Sequence, residues 1–212
     1  MLRRFFNPDS LIWKPLGFLG DLVVLSLLWA VCSLPLVTLG ASCAALYDTA
    51  VSVLRQKNGT PFSRFFPVFR RELKEGVLST LLCAGGLLVI ALLFLAVLRL
   101  FPGLAERGGL VSVIAVLIAF FFLGFLCWVW PVLSRFTLSL GALHVTALRL
   151  TLGHSLRSAG MALVWGLALG FSLRFVAPLF FLPGAAAWLC SFLIEPVFRP
   201  YEEAAAENDR EA

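Results

Sequence analysis

Four charged residues stand inside or at the ends of long apolar runs, Asp21, Asp48, Arg174 and Glu195. They are where chemistry would be carried. A charge at mid-membrane costs about 2.5 to 3.5 kcal/mol on insertion scales, so one that persists there pairs, conducts or binds. Arg174 lies nine residues before Pro183 and Glu195 eleven after Gly184, so a hairpin at Pro183-Gly184 sets them at similar depth. That spacing suggests an interhelical ion pair, with separate snorkelling to the interface as the bland alternative. Asp21 and Asp48 lie fourteen and thirteen residues from Pro35. Their functional reading is a proton or cation site. The simpler and preferred one is pairing with Lys14, Arg55 or backbone at helix ends.

Other reactive types lack a constellation. His144 and His154 are ten residues apart and fall on different faces of a helix, and the five cysteines show no C-x-x-C or Cys/His ligand spacing. Cys32, Cys43, Cys83, Cys127 and Cys190 read as small hydrophobes. The chain has no G-x-S-x-G, Walker, dinucleotide or H-E-x-x-H motif. The expectation is therefore no enzyme, no metal and no cofactor, with an enzyme built from scattered residues as a trailing alternative.

A second group lies in Phe62 to Glu75, FSRFFPVFRRELKE, where aromatics alternate with bases between two uncharged runs. Aromatics favour the headgroup layer and Lys/Arg collects in cytoplasmic loops, so this segment belongs on the inner face. Arg64, Phe65, Phe66, Phe69, Arg70, Arg71 and Lys74 are its interfacial or partner-docking candidates, with a break expected at Pro67. Lipid alone accounts for such a composition, at about 1 kcal/mol per basic residue on an anionic surface.

The elements that must position these residues follow from composition. Of 212 residues 60% are hydrophobic and 14% charged, with a mean hydropathy of +0.96, well below the charge of about 25% that soluble domains carry. Uncharged runs at Leu22 to Tyr47, Gly76 to Leu98, Gly108 to Ser134 and Phe175 to Ile194 are near or above the roughly 20 residues that span hydrocarbon. The fold expected is an all-α polytopic membrane bundle of six hydrophobic helices, with five or six crossings, plus interfacial helices. Residues 1–201 form one integral membrane domain and 202–212 an acidic solvated tail. Pro35 separates a first helix from a less greasy one at Leu36 to Leu54, which either crosses or lies half buried among other helices. Trp128 and Trp130 read as interfacial, on a helix kinked near Pro131. Gly166 and Gly170 form a G-x-x-x-G face for close helix approach. Ala45 to Ala50 and Ala142 to Ala147, ALYDTA against ALHVTA, hint at internal repetition.

The net charge of +5 divides unevenly, since residues 1–201 hold 16 bases and 7 acids. These bases flank apolar spans with no soluble basic fold between them, which points to anionic lipid and excludes nucleic acid. Arg3, Arg4 and Lys14 favour a cytoplasmic N-terminus, and an even count of crossings then returns the C-terminus to that side. A small solute or ion transporter is the alternative these intramembrane charges keep open.

Pro35 to Ser42 (PLVTLGAS), Ala45-Leu46-Tyr47 and Phe65 to Arg71 (FFPVFRR) resemble the YesL family of bacterial membrane proteins, a domain of unknown function. Pro131 to Phe136 resembles that family's second proline-arginine-aromatic block, and Pro196 to Arg199 its end. Glu72 and Leu73 depart from it, standing where an Asn and an aromatic are expected. The resemblance implies a bacterial inner-membrane accessory of carbohydrate uptake or utilisation, with ABC transporter subunits as partners.

Overall fold

The computed structural model describes the backbone of residues 13–101, 108–175 and 177–211, and the side chains of all of these but 13–15, 202 and 204–211. Arg3, Arg4, the side chain of Lys14 and the loop that starts at Pro102-Gly103 lie outside the described residues. Among the described residues every regular element is a helix. The first is α1 (Trp13–Cys32), ended at the turn that holds Pro35. The Thr38 hydroxyl hydrogen-bonds the Cys32 carbonyl at 2.6 Å, satisfying an acceptor that the helix end leaves open. A 3-10 turn (Leu36–Thr38) then leads into α2 (Leu39–Thr49), which runs on through a π-helical stretch (Ala50–Arg55).

Residues 40–54 are all buried. The helix expected either to cross or to lie half buried among its neighbours is enclosed along this stretch, and its small residues explain how. A Cβ on Gly40 would lie 2.5 Å from the Gly76 carbonyl oxygen, and one on Gly76 would lie 2.6 Å from the Ala41 nitrogen. Close backbone approach of this kind is how helices associate where no hydrophobic effect drives them together. The Gly40 amide also donates to Thr80 Oγ1 at 2.9 Å.

Next comes α3 (Pro61–Arg71), whose start is fully capped. Thr60 Oγ1 accepts from the Ser63 amide and Ser63 Oγ accepts from the Thr60 amide, with Pro61 at the first helical position, where no donor is missed. The helix runs through Pro67, which is exposed, so the break expected there does not occur. The long helices α4 (Leu73–Leu100) and α5 (Gly108–Arg135) follow, then α6 (Leu140–Gly153) and α7 (Ser155–Arg174). A 3-10 turn (Ala177–Phe180) leads to α8 (Leu182–Glu211), whose backbone carries the acidic tail as continuous helix.

Among the described residues four stretches are long and apolar enough to cross a membrane, Leu36–Arg55, Leu73–Leu100, Gly108–Arg135 and Ser155–Arg174, with shorter apolar helices at Leu16–Cys32 and Leu140–Gly153. α4 is the inverse of α2: Leu81, Leu82, Leu88, Val89, Leu92 and Leu93 are all exposed. An apolar surface of that extent suits hydrocarbon and not water.

Three expectations change here. Trp128 and Trp130 are buried rather than interfacial: Trp128 donates to Ser158 Oγ at 2.8 Å, and Trp130 packs where Gly40 leaves room. The two repeat-like segments are not equivalent, since Ala45 to Ala50 is wholly enclosed whereas Ala142 to Ala147 buries only Leu143 and Ala147. The G-x-x-x-G face makes no close approach among the described residues: a Cβ on Gly166 would meet Leu123 at 3.8 Å and one on Gly170 nothing within 4 Å.

Candidate functional site

Tyr47 and Asp48 sit side by side on the enclosed α2, each 4% exposed. A phenol and a carboxylate removed from water must find partners, and neighbouring residues on a helix face different ways. Asp48 turns to α3, where its Oδ2 accepts from Arg64 Nε at 2.7 Å. Tyr47 turns to α8, where its hydroxyl donates to Glu195 Oε1 at 2.9 Å. The same carboxylate oxygen accepts from Arg135 Nη2, at the end of α5, at 2.8 Å. From α3, Arg71 Nη2 donates to the Ser134 carbonyl at 3.1 Å, and Arg71 Nε donates to Glu72 Oε1 at 2.6 Å. The links close a circuit through α2, α3, α5 and α8. Its members are three acids, Asp48, Glu72 and Glu195, and three bases, Arg64, Arg71 and Arg135. Arg55 adds a strut to α8, donating to the Ser191 carbonyl at 3.0 Å with its guanidinium 4.8 Å from the Phe192 ring centroid.

The ion pair suggested between Arg174 and Glu195 does not form. Glu195 takes Arg135, whereas Arg174 lies exposed at the end of α7, 5.8 Å from the Phe175 ring centroid. Their depths also differ: Gly160, near the start of α7, lies against Leu193, so Glu195 stands near that end of the helix and Arg174 at the other. Asp48 takes Arg64 and not Arg55, whose donation is used on Ser191. Asp21 lies half-buried on α1, apart from the circuit.

The docking candidates divide by face. Phe65 is fully buried and stacks on half-buried Phe69 at 6.0 Å, while Arg64 and Arg71 serve the circuit. Phe66, Arg70 and Lys74 point outward, together with Phe62, whose ring stacks on Phe66 at 6.4 Å. The outward residues 62, 66 and 70 follow the four-residue helical step, and the inward residues 61, 65, 68 and 72 follow the mixed three-and-four step of the opposite stripe.

Tyr47 and Arg135 were not singled out from sequence, and Arg55 was named only as a pairing partner for the aspartates. The signal for Tyr47 was its place beside Asp48, and for Arg135 its place just past an apolar run. His144 has neighbours that spacing did not reveal. Its Nδ1 donates to the Leu140 carbonyl at 2.8 Å, which leaves Nε2 as acceptor for Ser79 Oγ at 3.3 Å and Cys83 Sγ at 3.5 Å. Among the described residues no group of three His, Cys, Asp or Glu side chains is placed to hold a metal ion.

No curated protein and no solved structure matches this chain. Residues 22–102, which include the Asp48–Arg64 link but neither Arg135 nor Glu195, match the model of a family described as "Protein of unknown function, DUF624".

Proposed function

We propose that this chain is a multi-pass protein of the bacterial cytoplasmic membrane that serves carbohydrate uptake or utilisation as an accessory. In this reading α1, α2, α4, α5, α7 and α8 cross, both termini face the cytoplasm, and α3 and α6 lie at the inner interface. It offers the outer face of α3 to an ABC permease subunit or a soluble partner. One observation carries the docking part: α3 is clamped to the bundle through Arg64 on Asp48 and Arg71 on the Ser134 carbonyl, with Phe62, Phe66 and Arg70 directed away from it. Holding that face in a fixed rotation lowers the ordering cost of engaging a protein partner. The carbohydrate assignment rests on the YesL resemblance.

A carrier is the weaker reading, because Asp48 and Glu195 are each neutralised by an arginine. The test is copurification from host membranes. A permease subunit should accompany the tagged chain and be lost in the triple variant Phe66→Ala, Arg70→Gln and Lys74→Gln, which should stay in the membrane. A partner retained by that variant, or sugar flux in vesicles holding this chain alone, overturns the proposal.

A further inference from the structure

We propose that a partly open apolar pocket among α1, α2, α5, α7 and α8 is a binding site for a small uncharged aromatic molecule. The pocket measures about 170 Å³ and has aromatic walls from four helices, Trp29, Tyr47, Trp130 and Trp165. Between them stand the thiols of Cys43, Cys127 and Cys190, with aliphatic side chains completing the lining. Two of its hydrogen-bonding groups are already engaged. Trp29 Nε1 donates to Cys43 Sγ at 3.2 Å, and the Tyr47 hydroxyl is given to Glu195.

Three consequences follow for the ligand. A sugar would leave its hydroxyls without partners, since buried polar groups need hydrogen bonds. A charged molecule meets the same objection more severely, because the carboxylates next to lining residues, Asp48 and Glu195, are already held by Arg64 and Arg135. A ring gains from indole faces and from sulfur at its edge, and these are what the walls supply. Size agrees, since an apolar cavity of about 150 Å³ takes up benzene. The site is therefore separate in chemistry from the carbohydrate role proposed for the whole protein.

Fluorobenzene is the probe, followed by fluorine NMR on the full-length chain in lipid nanodiscs. A protein-bound resonance should appear, saturate, and be displaced by toluene but not by glucose. Ala187→Leu and Cys127→Leu each place a larger side chain in the pocket and should weaken binding by at least about tenfold. A signal that grows without saturation, as for probe dissolved in lipid, overturns the proposal. So does equal affinity in both filled variants, or displacement by glucose. If one variant fails to fold the other decides, and competition on the unaltered chain decides without either.

Discussion

The Asp48–Arg64 link makes a prediction whose sign depends on which partner is removed. Asp48 is 5% exposed at its side chain and Arg64 is 49% exposed. Arg64→Gln strands a carboxylate with little access to water. Breaking a buried pair from one side costs about 3 to 5 kcal/mol, and Arg64's exposure to solvent reduces this to about 2 to 3. Asp48→Asn is milder. The amide oxygen still accepts from Arg64 Nε, and the arginine it leaves behind is half in solvent, so the loss is about 0.5 to 1 kcal/mol. In the double variant no charge is stranded, and it should be more stable than Arg64→Gln alone. At this chain length 1 kcal/mol moves Tm by roughly 2 to 4 °C, so Arg64→Gln should lower it by roughly 5 to 10 °C and Asp48→Asn by no more than about 4 °C. Heating each purified variant in detergent and measuring the monodisperse fraction by size exclusion gives the comparison. If Asp48→Asn is as damaging as Arg64→Gln, or the double variant is no better than Arg64→Gln, Asp48 is not held as a buried charge and the reasoning fails.

Tyr47→Phe should cost about 1.5 to 3 kcal/mol, the worth of a hydrogen bond to a charged group, whereas Tyr47→Phe made on a Glu195→Gln background should cost visibly less; equal losses in the two backgrounds would show that the phenol acts elsewhere. Gly40→Ala and Gly76→Ala should each destabilise by about 1 to 3 kcal/mol in the same assay, because the added methyl meets backbone, while Gly170→Ala should stay within about 0.5. A harmless Gly76→Ala would mean that α2 and α4 are not in contact at Ala41.

How far the sequence could be read depends on what each feature needs for its expression. The spans of α4 and α5 were legible because hydrocarbon demands an uncharged run and nothing else supplies one. The orientation of α3 about its axis is also written in its residues. Phe65 and Val68 fall on one stripe and Phe62, Phe66 and Arg70 on the other, and the structure buries the first and exposes the second. The assignment of all seven docking candidates to one surface was too coarse, because the same stripe logic sends Arg64 and Arg71 back to the bundle to meet Asp48 and Ser134.

The partnerships of the buried charges were not legible, and α2 shows why. A sequence orients a helix through the contrast between its two faces, and a stretch in which residues 40–54 are all buried has no contrast to offer. Without it the direction of Tyr47 and Asp48 is undefined, since each step along the helix turns the side chain by about 100°. Counting residues from a turn fixes depth only if the turn is correctly placed: α7 already ends at Arg174 and a 3-10 turn (Ala177–Phe180) precedes α8, so Arg174 stands at one end of α7 while Glu195 lies near the other, two residues from the Leu193 that meets Gly160. Arg135 was the better choice on a different ground. It ends α5, where Ser134 and Arg135 together offer a carbonyl and a guanidinium to their neighbours, and the structure uses both. The features that did mark α2 as enclosed were its small residues, Gly40, Ala41, Ser42, Ala44 and Ala45, and its modest hydrophobicity. In a membrane the most apolar helices face lipid and the less apolar, small-residue helix sits inside. A charged residue on that inner helix should therefore be matched first with arginines at the ends of the helices around it.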